Sequence, residues 1–250
     1  MIANRLTWFL EKHNLFTPTQ AGFRKGFCTS DPVIRMNQEA EISLKSGNLT
    51  IAILIDFSRA FDLVWIDGLL IKLSRLNIKG NILRWIKNFL QNRTNQVKIG
   101  AELSEPYTNE NGTPQGSTLS PILFLIMIND FPKLSSFTVN ALFADDSTIW
   151  RSGTNLPQVV YHLQEDLNII ENWCTKWGFK INIDKTKGIL FTNKKINKDQ
   201  INLKLQGKNI TFENSVKLLG VHFDEKLTWK VHIESLITRA KKVSKYNELY

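Results

Sequence analysis

FTVNALFADDSTIW, residues 137–150, alternates apolar side chains at Phe137, Val139, Ala141 and Phe143, the period of a strand with one buried face. Two adjacent acids, Asp145 and Asp146, interrupt it before a second β-prone run from Ser147 to Trp150. The stretch reads as a hairpin with two carboxylates at its tip. Acids do occur in ordinary turns. An Asp-Asp pair is nevertheless a poorer two-residue turn than Asn-Gly or Asp-Gly, and its two charges repel unless a cation stands between them. A second strand ends in the same way. Residues 49–57, LTIAILIDF, form a nearly continuous apolar run closed by Asp56, as in a strand buried on both faces with its last residue at the sheet's rim. Alone, Asp56 reads as a helix N-cap. If the two strands are neighbours, three carboxylates meet in a hard oxygen-donor site suited to magnesium. Two such ions, about 3.5–4 Å apart, are the apparatus of in-line phosphoryl or nucleotidyl transfer.

The 250 residues suffice for one large domain or two small ones, and a 42% hydrophobic fraction is that of a globular chain. Cys28 and Cys174 lie far apart with no metal-ligand spacing, which fits a reducing compartment. No apolar run reaches the ~20 residues of a membrane span, and no signal-peptide pattern opens the chain. The charge is lopsided. Residues 1–175 hold 16 Lys+Arg against 16 Asp+Glu, whereas residues 176–250 hold 16 against 7, so the whole net charge of +9 lies in the last third. That surface is either simply solvated or faces a phosphate backbone.

Along the chain, Leu6, Phe9 and Leu10 open an amphipathic start, and Asp31-Pro32 reads as a helix start. Residues 66–92 read as two helices broken at Gly80, with short strands over Gln96–Ile99 and Ser104–Glu110. The loop GTPQG (112–116) has glycines that let a ligand approach its backbone, and it leads into a helix apolar on all sides. Leu156 to Trp177 trace a long amphipathic helix ending at Gly178. FKINI (179–183) and GILFT (188–192) read as strands flanking a basic turn, 201–223 as hairpins, and 226–250 as a basic helix whose apolar row is Trp229, Ile233, Leu236 and Ile237.

LIDFSRAFD (54–62), GTPQGSTLSP (112–121), FADD (143–146), GFKINIDKTK (178–187) and LLGV (218–221) stand in the order of the reverse transcriptase sequence blocks. They resemble most the non-LTR retrotransposons, and VHFDEKLTWKVHI (221–233) is similar to the jockey-like group. The resemblance runs from about Gln20 to the C-terminus. It implies an α+β right-hand polymerase palm, an antiparallel sheet with helices on one face. Partial fingers would occupy residues 1–50, the palm 51–225 with a fingers-side helical portion near 64–110, and the start of a thumb 226–250.

The implied activity is RNA-directed DNA synthesis from an RNA template, a DNA primer and deoxynucleoside triphosphates, with two Mg2+ ions on Asp56, Asp145 and Asp146. Phe61 is the implied steric gate against a 2′-hydroxyl. Phe57, Gln115 and Gly116 adjoin the nucleotide, and Arg24 helps hold the triphosphate, although Phe27-Cys28-Thr29 replaces the family's Arg-Ser-Thr. Lys185 lies near the leaving pyrophosphate as a general acid. Leu218, Leu219 and Gly220 fall in the primer-gripping element. A group II intron maturase-like enzyme, or a decayed mobile-element copy that binds nucleic acid without polymerising, would share these blocks. A template-free cyclase would leave GTPQGS and the primer grip unexplained. The resemblance also implies a nuclear location, no membrane, and a chain truncated in fingers and thumb without an endonuclease domain. Such a chain should bind template–primer weakly above modest salt, extend primers distributively and aggregate.

Overall fold

The structure, a computed structural model, describes residues 1–247, with side chains described as far as Lys241. Two helices open the chain, α1 (Ile2–Lys12) and α2 (Ser30–Lys45), followed by β1 (Leu49–Ile55). Helices α3 (Ile66–Arg75) and α4 (Gly80–Leu90) lead into a small β-arm of β2 (Arg93–Asn95), β3 (Lys98–Ile99), β4 (Glu102–Leu103) and β5 (Tyr107–Asn109). Then come α5 (Ser120–Ile128), the hairpin β6 (Thr138–Phe143) and β7 (Asp146–Gly153), α6 (Leu156–Trp177) and β8 (Lys187–Thr192). The last part holds β9 (Lys204–Leu205), β10 (Lys208–Asn209), β11 (Thr211–Phe212), β12 (Ser215–Leu218), β13 (Val221–Asp224) and α7 (Lys230–Asn247).

The main sheet has the order β11-β8-β1-β7-β6. All its pairs are antiparallel except β11–β8, which is parallel. Strand alternation divides its side chains between two cores. Ile51, Ile53, Leu142, Ile149 and Leu190 face one way, onto α6, α5, α3 and α1. Ala52, Ala141, Trp150, Ile189 and Phe191 face the other way. There, α2 packs Met36 and Ala40 against the two small alanines, and β12–β13 adds Val216, Leu218 and Phe223. The sheet therefore has a helix on its second face as well, beyond the one-sided cover read from sequence. Ala52 and Ala141 make room for it.

Local chemistry explains the element ends. Asn155 caps α6 by accepting from Gln158 N–H, and Gly178 closes that helix at φ +76, where a β-carbon is unfavourable. Helix α5 is buried on every side, as its uniformly apolar sequence requires. FKINI forms no strand and contributes only a single bridge, Ile181 to Phe57. Residues 182–186 turn back instead, with Thr186 N–H and its hydroxyl both donating to Asn182 O at 2.9 Å. Trp229 also departs from expectation. It precedes α7 at φ +63 and packs on Phe223 at 5.5 Å, whereas Ile233, Leu236 and Ile237 are exposed. Residues 248–250 of the expected last helix lie outside the described residues.

One buried cation escapes the apolar pattern. Lys72 of α3 is 4% exposed and donates to the Met127 carbonyl at the end of α5 and to Asp130, beneath the Trp177 ring at 3.8 Å. Among the described residues no helix is long and apolar enough to cross a membrane.

Candidate active site

Strands β1 and β7 are hydrogen-bonded neighbours at the centre of the sheet, and Ile55 lies opposite Ser147. Carried one residue further, that register sets Asp56 against Asp146. The acids do not form the turn together. Phe143 pairs with Asp146, so the loop is the two residues Ala144-Asp145, and Asp146 is already the first residue of β7. Ala144 takes φ +56, the positive value that a tight hairpin demands at its first central position. Asp56 is held at the end of β1 by its own main chain. Its N–H donates to the Thr186 hydroxyl at 3.2 Å and its carbonyl accepts from Asn182 N–H at 2.8 Å.

The three carboxylates feel one another. Partial burial raises the pKa of Asp56, the Lys185 ammonium nearby opposes the rise, and the Asp145 charge adds to it. Asp146 is raised by desolvation first, then by Asp145 and by Asp56. The Asp145 charge therefore makes Asp56 and Asp146 harder to ionise, and Asp56 acts likewise on Asp146, a penalty that a cation among them would reverse. Among the described residues no three His, Cys, Asp or Glu side chains stand close enough to hold an ion as they are. The donor set is nonetheless of hard oxygens only.

A pocket of about 370 Å³ opens over these strand ends. Asp56 and Asp146 line it together with Lys185, Lys187 and the β12–β13 turn at Leu218, Leu219 and Gly220. That turn pairs Leu218 with Val221, and both loop residues have positive φ, Leu219 at +46 and Gly220 at +92. This is the geometry of the primed hairpin turns. Its buried neighbours Val216 and Leu218 anchor it to the sheet's second face, leaving the tip at the pocket.

Phe61 is half-buried, stacked on Phe124 at 4.4 Å and meeting the exposed Phe23 edge-on at 6.3 Å. The GTPQG loop is tied to the same segment. Thr113 N–H donates to Phe61 O at 2.9 Å and Gly112 N–H to Val64 O at 2.8 Å. Gln115 is exposed and donates to Asp62 at 2.7 Å, and Gly116 follows it at φ +86.

Two residues expected at the nucleotide have side chains engaged within the protein. The Phe57 ring is buried against Phe179 at 5.4 Å, because the bridge to Ile181 turns it into the core. The Arg24 guanidinium is taken up within the protein. It donates through Nε and Nη2 to the two Glu11 carboxylate oxygens, at 2.9 and 2.7 Å, and through Nη1 to the carbonyls of Thr17 and Gln20. A bidentate partner of that kind leaves little for a triphosphate and makes Arg24 a clamp between α1 and the loop that follows. Sequence reasoning missed Gln20, whose side chain reaches Ala144, the turn residue just before the two acids. No periodicity signals such a contact, although the glycine two residues later was a hint of close backbone approach.

Comparison with known proteins agrees with this geometry. The sequence profile of the family described as Reverse transcriptase (RNA-dependent DNA polymerase) matches residues 1–223. The chain is 29% identical, over 96% of its length, to a probable RNA-directed DNA polymerase from transposon BS of Drosophila melanogaster. It is 28% identical, over 94%, to the RNA-directed DNA polymerase from mobile element jockey of the same species. It spans only 27% and 26% of those two proteins. The fold resembles that of telomerase from Candida tropicalis, solved in complex with the TWJ fragment of telomeric RNA, with a TM-score of 0.62 at 14% identity. That likeness is one of fold, and it covers 92% of this chain and 36% of the telomerase chain.

Proposed function

The chain belongs to the reverse transcriptase family, and from that premise we propose that it catalyses RNA-directed DNA synthesis, adding deoxynucleotides to a primer 3′-hydroxyl. The observation that carries this reading is the β1–β7 register, which sets Asp56 against Asp146 with Asp145 in the adjoining turn, beside a pocket edged by lysines. Asp56 and Asp145, with Asp146 assisting, are the residues that would hold two magnesium ions. Bound there, the ions would lower the pKa of the primer hydroxyl and offset charge on the triphosphate.

The protein's own part is positioning. Phe61, braced by Phe124, limits the room beside the acids and so favours a sugar without a 2′-hydroxyl. Gln115 and the Gly116 main chain adjoin the same space from the loop. Lys185, in the field of Asp56, is placed to donate a proton to a departing pyrophosphate. The Leu218–Gly220 tip is placed to hold the primer end over the carboxylates. The partners are an RNA template, a DNA primer and deoxynucleoside triphosphates. We assign 51–225 to the palm, 1–50 to fingers and 226–250 to the start of a thumb.

Primer extension on an RNA template with magnesium, run beside a template–primer binding assay, tests this. Wild type should extend, and Asp145→Asn should bind but not extend. Binding without extension by the wild-type chain would return it to a nucleic-acid-binding remnant.

A further inference from the structure

The acid turn is gripped from outside by residues 19–22. These run parallel to the end of β6, Ala21 N–H donating to Leu142 O at 2.8 Å and Leu142 N–H to Thr19 O at 2.9 Å. At the next step a side chain takes over from the main chain. Gln20 is 1% exposed, and its Oε1 accepts from Ala144 N–H at 2.9 Å and from Gly22 N–H at 2.8 Å. Its Nε2 donates to Ala144 O at 3.3 Å. A carboxamide carries both a donor and an acceptor, and here it bonds both polar groups of one backbone residue. That residue needs holding, because an L-residue in the left-handed region is disfavoured by about 1–2 kcal/mol. Gly22 completes the contact, since a β-carbon there would stand 2.2 Å from Ala144 N.

Resting on the reading of this turn as the metal-holding one, we propose that Gln20 is a positioning residue: its carboxamide holds Ala144 at positive φ and thereby fixes where Asp145 and Asp146 point. Neither polymerisation nor nucleotide binding requires Gln20 to touch substrate. The Arg24–Glu11 clamp anchors the bracket at its far end.

The test compares the whole 250-residue chain with Gln20→Met, which keeps the shape and removes the bonds. Amide hydrogen exchange at Ala144 and Asp145 should quicken by at least about tenfold, with β1 unchanged. Mn2+ binding without substrate, followed by its EPR signal, should weaken by roughly 10–100-fold, as when an outer support of a metal ligand is lost. In extension assays kcat should fall by up to about 100-fold with KM for the deoxynucleotide little changed. A folded Gln20→Met with wild-type exchange and wild-type Mn2+ affinity overturns the proposal. If circular dichroism shows that variant unfolded, Gly22→Ala decides instead. It pushes on Ala144 with the carboxamide intact and should weaken Mn2+ binding, whereas wild-type binding would overturn the proposal. A wild-type chain that binds no Mn2+ would sink the metal reading of the turn, and the exchange rates alone would then decide the role of Gln20.

Discussion

Replacing Lys72 by methionine removes a buried charge while nearly keeping its volume, and the pH dependence of the result can be worked out beforehand. Burial brings the pKa of Lys72 from 10.5 down to about 8, even though the Asp130 carboxylate pulls it up. That difference corresponds to about 3 kcal/mol. Below about pH 8 the lysine is protonated folded and unfolded alike, so the native state bears the whole cost of the buried ammonium. Between about 8 and 10.5 the native state releases its proton first, unfolding takes one up, and stability rises with pH. Lys72→Met lacks this contribution, and titrating groups that do not interact with Lys72 cancel in the comparison.

The wild type should therefore gain about 3 kcal/mol relative to Lys72→Met as the pH is raised from about 7 to about 10.5. Near pH 7 the variant should be as stable as the wild type or more so. Asp130 is 43% exposed on its side chain and keeps its bond from Trp173 Nε1. Asp130 and the Met127 carbonyl each lose the Lys72 donor, and since Asp130 is half-exposed the cost falls on the carbonyl, at about 1 kcal/mol. Urea unfolding at a series of pH values, followed by the fluorescence of Trp173 and Trp177, measures the difference directly. A difference that stays flat or falls with pH would refute the reasoning.

Asp145→Asn should lower extension by at least ~10³-fold, the scale of several kcal/mol of metal-borne stabilisation, while gel-shift affinity for template–primer holds. Extension at near wild-type rate would take Asp145 out of the metal set. Phe61→Val, which gives up the stack on Phe124, should raise ribonucleotide use relative to deoxynucleotide use by about tenfold or more in competition assays. An unchanged ratio in a folded, active variant would make Phe61 a core residue only. Gly112→Ala meets two obstacles, φ +87 and a β-carbon 2.5 Å from Asp62 O. It should destabilise by about 2 kcal/mol or more in thermal unfolding and shift Gln115, and a wild-type melting temperature would contradict that packing.

The two acid-bearing strands could be read from sequence because each carries a pattern that local chemistry dictates. The apolar run of β1 has to be central, whereas the alternation of β6 holds only in part, since Phe137 precedes the strand and is exposed and Ala141 and Leu142 are buried on opposite faces. Gly178 likewise announces the end of α6. What escaped was made by contacts distant in the chain. The place of the turn depends on Ala144 accepting a positive φ, which an alanine does not advertise and which Gln20, more than a hundred positions earlier, supports. Arg24 reads as a triphosphate contact until Glu11 is folded beside it, and Phe57 reads as a neighbour of the nucleotide until the Ile181 bridge turns its ring into the core. Lys72 sits in a helix whose other apolar positions all announce core, and only the end of α5 explains a charge there.

The connectivity of β1 also sets an order of events during synthesis. Its two partners arrive late: Ile55 waits for Ser147, and Leu49 must wait again for Thr192. Until then LTIAILI is a seven-residue β-prone run with no proline, no charge and both edges unpaired. Such a run is a template for intermolecular strand addition, and pairings this remote in sequence form slowly. The acids that serve the chemistry are therefore assembled among the last parts of the fold, and the strand that carries the first of them spends the longest time exposed. Soluble yield should accordingly follow how fast a ribosome covers residues 56 to 192, and how well the host shields β1 in that interval, more closely than it follows the stability of the finished molecule.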